Sequence, residues 1–497
     1  MLQFVSNKHK EDYKSIEVDG LPPSFFELNR ANFFENLKTK LKNYETDSVL
    51  ILQGGSDIPR FDTDVISYIF LQESYFYYLT GVRDTDFYTI LDIKTESITL
   101  FWKVPPESTK IWSYVPTLES LTKKYGILTK DMVDFYKFLG ERNPKTIYLL
   151  NGTNSDSKSK VKTAVLNFPT EYEYLAKIVD NTELIWEILA DTRTRKSQKE
   201  IELLQFIGDL TAEAHVSVIK AMKYDIYYER DMESVFFDYI SKNYYTRFTG
   251  YQVVCGTGIN SKTLHYGNND QEVKKENINL MDMGARIAGY VSDVTSTIPK
   301  SGKYSYVQKE IYNIVLKANR TVQANMKPGV YWPDMHLLAE ATILDGLQQL
   351  GLINDGYSIQ EMLKNRVAYY FMPHGLGHLI GLDMHDVGGY LSFTPPRIDL
   401  PGLNRLRTAR YLEENNVITV EPGIYFIEFH LQKAFKDPLL SKYFNSELIK
   451  SFFGFGGVRI EDNVLVTKDG SLNLTAKLPR NIEDIEALMN NSSNILK

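Results

Sequence analysis

Short apolar runs, "SVLILQGG" (48–55), "FYTILDI" (87–93), "SITLFW" (97–102) and "TIYLLNG" (146–152), alternate with helical stretches in the first part of the chain. Runs of this length bounded by turn residues predict strands, and their alternation with helices predicts an α/β domain. A polar stretch, "NGTNSDSKSKVK", covers 151–162. At 197–200 "SQKE" has the form of a capping box, with Ser197 at the N-cap and Glu200 three residues on. The helix it opens runs through "IELLQFIGDLTAEAHVSVIKAMK", with His215 inside it as a hydrogen-bonded or surface residue. The domain boundary is placed just before this cap, giving an N-terminal domain over 1–190 and a second over 191–497. Beyond 245, strand-like runs such as "QVVCGTG", "NNVITVEPGIYFI" and "FGGVRIEDNVLVT" take over, with helical stretches at 305–327 and 333–351. The second domain is therefore read as α+β.

Composition narrows the class. Hydrophobic residues make up 43% and charged residues 24%, as in ordinary globular proteins. A net charge of −7 offers no footprint for nucleic acid, and clusters such as "KSKVK" (158–162) read as solvated loops. The single cysteine, Cys255, excludes an intrachain disulfide and any multi-cysteine zinc site, and its apolar setting "YQVVCG" predicts a core position. No apolar run approaches the roughly 20 residues of a membrane span. The N-terminus lacks the apolar core of a signal peptide, so the expectation is a soluble, cytoplasmic protein.

The stretch "FMPHGLGHLIGLDMHDVGGY" (371–390) holds three of eight histidines, His374, His378 and His385. It is not a dinucleotide fingerprint, because Gly375, Gly377 and Gly381 are spaced one residue too far. It is not a metalloprotease helix, because "HGLGH" lacks the glutamate of H-E-x-x-H and glycine disfavours helix. The remaining reading needs carboxylate partners elsewhere. Asp282 and Asp293 are eleven apart in "NLMDMGARIAGYVSDVTS"; a hairpin about Ile287–Ala288 would set them opposite each other on one face. Taken alone, two aspartates in water are the simpler reading. Glu421 closes the apolar strand "VITVE" and Glu461 lies within "FGGVRIEDNVLV", where an unpaired charge would be costly. Arg459, two residues before Glu461, shares its strand face, so a plain ion pair between them is the bland alternative. Four carboxylates with one imidazole suit hard or borderline divalent ions such as manganese, and two such ions would balance the charge.

The motifs "DMG" with "SDVT", "PHGLGHLIGLDMHDVGGY", "LRTAR", "TVEPGIYF" and "GGVRIED", in this order and spacing, resemble those of the prolidases, Xaa-Pro dipeptidases of the creatinase, methionine aminopeptidase and aminopeptidase P superfamily. The N-terminal "LQGG" (52–55), "RFDTD" (60–64) and "QESYFYYLTGV" (72–82) extend the likeness over almost the whole chain. The resemblance implies a creatinase-like α/β N-terminal domain, acting as lid and dimerisation module, followed by a pita-bread catalytic domain. It implies two divalent metal ions per subunit, most simply Mn2+. Asp293 and Glu461 would bridge both, Asp282 would hold one, and His378 with Glu421 the other. Glu421 would also move the proton of the attacking water to the leaving nitrogen. His265, His374 and His385 would line the cleft and stabilise developing charge, and Tyr251 would support the ligands or the N-side pocket. Arg407 in "LRTAR" would read the free carboxylate of the terminal proline with its guanidinium fork, and Arg459 would orient Glu461. Trp112 matches a tryptophan that reaches into the partner's active site in prolidase homodimers; a buried core tryptophan is the alternative. Asn268 in "HYGN" stands where many relatives carry histidine, and "LSFTPPRIDLPGL" (391–403) is apolar where relatives tend to be acidic. The expected function is hydrolysis of Xaa-Pro dipeptides. The alternatives are an Xaa-Pro aminopeptidase acting on longer peptides, against which "LRTAR" argues, and a catalytically silent binding protein of the same fold.

Overall fold

The computed structural model describes residues 15–40, 45–66 and 69–491. The chain divides into two compact units: Gly20–Arg193, and Thr194 onward together with a single helical turn at Ile16–Asp19.

The first unit is an α/β layer structure. Helix α1 (Pro23–Lys40) precedes β1 (Ser48–Gln53), followed by α2 (Ser74–Thr80), β2 (Phe87–Asp92), β3 (Ser97–Trp102) and β4 (Thr129–Asp131). Helix α3 (Phe135–Arg142), β5 (Thr146–Leu149), β6 (Val179–Asp180) and α4 (Leu184–Thr194) complete it. The sheet order is β4-β3-β2-β1-β5-β6, with β1 antiparallel to β2 and parallel to β5. Val49–Leu52 are buried without alternation, as expected of a central strand covered on both faces. Val49, Ile51, Ile90, Phe101, Phe135, Leu139 and Ile147 form the core of this unit. Trp112 is 85% exposed, at the end of a 3-10 turn over Glu107–Ile111, so the core alternative for this residue is excluded.

The second unit opens with α5 (Gln198–Ala221), capped as its sequence predicts: Ser197 Oγ accepts from Glu200 N and Glu200 Oε2 accepts from Ser197 N at 2.8 Å. Helix α6 (Glu229–Tyr244) follows. Then come β7 (Val254–Thr257), β8 (Ile278–Asp282), β9 (Arg286–Ile287), β10 (Tyr290–Val291) and β11 (Thr295–Pro299). Helices α7 (Tyr306–Asn325) and α8 (Trp332–Gln349) fall on the two stretches expected to be helical. Strands β12 (Val417–Val420) and β13 (Gly423–Tyr425) are followed by α9 (Glu428–Lys436). Strands β14 (Gly457–Arg459), β15 (Asp462–Val466) and β16 (Ser471–Asn473) end the scaffold. Cys255 is fully buried, and burial pushes its thiol pKa up. Among the described residues no helix is long and apolar enough to cross a membrane.

The register of the first hairpin corrects the sequence reading. Asp282 lies opposite Thr295, not Asp293, and Tyr290 opposite Ile287. The turn is Ala288–Gly289, both with positive φ (47° and 88°), as a two-residue type I′ turn requires. The chain therefore reverses one residue later than expected, and the pairing slips by two. A slip of two keeps every side chain on its face, so Asp282 and Asp293 remain diagonal neighbours on one side.

His215 is buried on α5, its Nε2 donating to Met283 O at 2.9 Å and its Nδ1 accepting from Ser296 Oγ at 3.1 Å. Burial holds its pKa down to about 4, from an ordinary 6.5. The unfolded chain then binds this proton at a higher pH than the folded one. The stability His215 lends is complete above pH 6.5 and is lost as pH falls toward 4, by up to about 3 kcal/mol. Denaturant titrations at pH 7 and pH 5 should show a smaller acid loss in His215→Gln than in wild type; equal losses would contradict the assignment.

Candidate metal centre

Eleven of the residues singled out in the sequence line one cavity of about 920 Å³ in the second unit: Tyr251, His265, Asp282, Asp293, His374, His378, His385, Arg407, Glu421, Arg459 and Glu461. The twelfth, Trp112, belongs to the first unit.

Two antiparallel hairpins aim the carboxylates. Asp282 ends β8 and Asp293 lies between β10 and β11. In the second hairpin Val420 pairs with Asp462 and Gly423 with Arg459, a register that sets Glu421 opposite Glu461 where the ladder opens. Like charges so placed repel. The hairpins are joined edge to edge: Glu461 N donates to Thr295 O at 3.2 Å, and Arg459 N to Thr297 Oγ1 at 3.2 Å. The glycine-rich stretch supplies the imidazole from an extended segment beside β12. Thr419 N donates to His378 O at 2.8 Å and Glu421 N to Leu376 O at 2.9 Å. A Cβ on Gly377 would stand 1.9 Å from Thr419 O, so only glycine lets this segment close on the strand.

Asp293, His378 and Glu461 each offer a ligand atom within 4.8 Å of the others. His378 Nε2 is 3.4 Å from Asp293 Oδ2 and 3.7 Å from Glu421 Oε1. Its Nδ1 donates to Leu379 O at 3.0 Å, which orients the ring with Nε2 toward the carboxylates. Asp293 Oδ1 is buried with no hydrogen-bond partner. Tyr251 OH donates to Asp282 Oδ1 and Arg459 Nη2 to Asp282 Oδ2, both at 2.6 Å. The Arg459–Glu461 ion pair weighed in the sequence is not formed. Arg459 Nε donates instead to Thr295 Oγ1 at 3.0 Å, and that hydroxyl donates to Glu461 Oε2 at 2.8 Å. Arg459 Nη1 also donates to Tyr425 OH, which in turn donates to His374 Nε2, each at 3.0 Å.

The electrostatics follow from this crowding. Burial, then the Asp293 charge, pushes Asp282 up to about 7. Burial raises Glu421, and burial followed by Asp293 raises Glu461 far above the carboxylate range. Burial opposes ionisation of Asp293 too, but the His378 hydrogen bond outweighs it and holds Asp293 low. Burial drives His374 to about 3 with help from Arg459, and His385 to about 2 with help from His378. His265 is lowered by burial and then by Arg459 and Arg407. Without cations the set cannot carry its full charge at neutral pH. An orphaned carboxylate oxygen, an imidazole nitrogen held toward it and mutually repelling carboxylates fit divalent metal ions.

His385 meets His378 edge to face, centroids 4.5 Å apart. The residue after it, Asp386, makes a wholly buried ion pair with Lys196 at 3.0 Å. Asn268 is exposed beside Gly267, which lines the cavity. The apolar loop 391–403 is held by Arg397, whose guanidinium lies 4.2 Å over the Tyr390 ring and donates to Asn404 O at 3.2 Å. Thr295 and Thr419 were missed in the sequence, although each lies two residues from a ligand-type carboxylate and so on its face. Tyr425, Lys196 and the cavity-lining Tyr369, Tyr370, Arg405, His430 and Lys433 carry no local signal.

Residues 202–468 match metallopeptidase family M24, and residues 26–148 match the aminopeptidase P N-terminal domain. The chain is 40% identical over 475 residues to the Xaa-Pro dipeptidase of Mus musculus, covering 94% of each chain. It is 34% identical to a probable Xaa-Pro aminopeptidase of Botryotinia fuckeliana, covering 91% of this chain and 94% of that one. Its fold is similar to that of the Pseudomonas aeruginosa aminopeptidase PepP, with a TM-score of 0.75 at 25% identity, covering 96% of this chain and 99% of that one. An α/β domain followed by a pita-bread catalytic domain is thus the architecture found, and the chain belongs to metallopeptidase family M24.

Proposed function

We propose that the chain is a metal-dependent dipeptidase that hydrolyses Xaa-Pro dipeptides. The observation that carries this reading is the convergence of Asp282, Asp293, His378, Glu421 and Glu461 in one cavity that also contains Arg407. These five residues would hold two divalent ions, most simply Mn2+, with Asp293 and Glu461 shared. Bound there, the ions supply Lewis-acid polarisation of the scissile carbonyl and a water made acidic enough to react near neutral pH.

The side chains would do the rest. Glu421, raised by burial, is suited to take a proton and pass it to the proline nitrogen. His265 and His385, both held neutral, would donate to the oxygen on which charge develops; His374, with both ring nitrogens engaged by Gly375 O and Tyr425 OH, would shape the cleft beside them. Tyr251 and Arg459 hold Asp282 still. Proline carries no N–H, so recognition falls on its carboxylate, and Arg407 is the residue for it. The active unit would be a homodimer in the cytoplasm, with residues 1–190 as lid and dimerisation domain. The exposed Trp112, with Ile111 and Tyr114 also exposed, suits a role at the partner's cavity. Residues 191–497 would be the catalytic domain.

Proline release by manganese-reloaded protein, comparing Gly-Pro with Gly-Pro-Ala, tests the reading. Cleavage of Gly-Pro alone is expected. Cleavage of both would move the protein to the Xaa-Pro aminopeptidases, and cleavage of neither with metal bound would make it a silent binding protein. Asp293→Asn should abolish hydrolysis and metal loading while the first unit stays folded by limited proteolysis; a metal-loaded, active variant would refute the shared-ligand role. Arg407→Ala should raise KM for Gly-Pro about thirtyfold, the loss of a charge-assisted bond worth roughly 2 kcal/mol. The same increase for the amidated dipeptide would sink the carboxylate assignment.

A further inference from the structure

The cavity carries more positive charge than this chemistry uses. Its lining contains four carboxylates, all of them in the proposed metal set, and four cations: Arg405, Arg407, Lys433 and Arg459. Arg459 is paired with Asp282 at 2.6 Å, and Arg407 is assigned to the proline carboxylate. With two divalent ions balancing the carboxylates, Arg405 and Lys433 remain. Among the described residues neither forms an ion pair; Lys433 Nζ lies 5.4 Å from the centroid of the Phe429 ring.

The two cations line the same cavity, at the two ends of the segment 369–375. Arg405 O is 2.9 Å from where a Cβ on Gly375 would stand, which sets the Arg405 backbone against the residue after His374. At the other end of that segment, His430 lies one helical turn before Lys433 on α9. Its ring centroid is 4.8 Å from those of both Tyr369 and Tyr370, and its Nε2 donates to Tyr369 O at 3.2 Å. Burial holds the His430 imidazole below its usual pKa, and the Lys433 charge adds to the effect, so the positive field reaches the ring. The segment 369–375 thus runs between the Arg405 backbone and the helix that carries Lys433, with aromatic faces along it; the carboxylate beside it, Glu421 at 3.8 Å from His374, belongs to the proposed metal set.

Resting on the Xaa-Pro dipeptidase reading, we infer that this part of the cavity is a subsite for an acidic side chain on the residue before proline, read by Arg405 and Lys433. A dipeptide such as Glu-Pro then carries two carboxylates, one for Arg407 and one for this pair. Both cations are exposed, so their attraction is screened by solvent and salt. Selection is therefore a preference and not an exclusion.

Glu-Pro and its neutral isostere Gln-Pro isolate the charge. For the manganese-loaded full-length protein, kcat/KM should favour Glu-Pro by about fivefold at low salt, the size of one or two exposed ion pairs. The ratio should fall toward one at about 1 M salt, where the Debye length is ~3 Å. R405Q and K433Q should each lower the ratio and the double variant should abolish it. A ratio within one protein is unaffected by the fraction that folds. A wild-type ratio of one or less, a ratio indifferent to salt, or equal losses on both dipeptides would overturn the subsite. Should neither dipeptide nor Gly-Pro be hydrolysed, the dipeptidase reading itself fails. Calorimetric binding of the same pair then decides the subsite: tighter Glu-Pro, equalised in R405Q/K433Q, supports it, and equal affinities reject it.

Discussion

Carboxylates packed side by side repel, and the catalytic unit is arranged around that repulsion. At an effective dielectric of 20, two like charges 4 Å apart cost about 4 kcal/mol. Two hairpins nevertheless point Asp282, Asp293, Glu421 and Glu461 into one cavity. In the absence of cations, protons must make up the difference, which is why Asp282 is pushed up to about 7 and Glu461 higher. The surrounding polar groups do not neutralise the set; they fix its directions. Thr295 is the clearest case, since its backbone pairs with Asp282, its carbonyl accepts from Glu461 N and its hydroxyl links Arg459 to Glu461.

Outside the carboxylates the cavity is basic and aromatic. Arg459 fastens Asp282 and, through Tyr425, orients His374. The buried Lys196–Asp386 pair follows directly on His385 and anchors the loop that brings it against His378. Each histidine of the cluster thus has a distinct second contact that sets its tautomer or position. His378 faces the carboxylates, and all three line the cavity. The glycines between them allow the backbone to close to 1.9 Å of a Cβ position at Gly377, which no other residue permits.

Much of this was legible in the chain. The N-terminal strands, the Ser197–Glu200 cap and the two helices after 305 follow from local pattern and capping chemistry. The ligand-type residues were legible because carboxylates in apolar strands require an explanation. The hairpin register was not: "IAGY" lacks the Asn-Gly or Asp-Gly signal, and Ala288 adopts a positive φ that alanine rarely takes. The shift of two left the convergence intact because side-chain direction repeats every two residues. Arg459 was read against its sequence neighbour Glu461, whereas its partner Asp282 is 177 residues away. Arg405, His430 and Lys433 share a cavity only because the tertiary fold brings α9 and the Arg405 backbone against 369–375, and nothing in their local sequence marks it.

The most direct test of this account is calorimetric titration of metal-stripped protein with manganese near pH 7, in buffers of different ionisation enthalpy, with elemental analysis of the product. The account predicts two ions bound per chain and a net release of protons, because carboxylates protonated in the stripped protein must ionise to hold metal. A single ion, or binding without proton release, would contradict it.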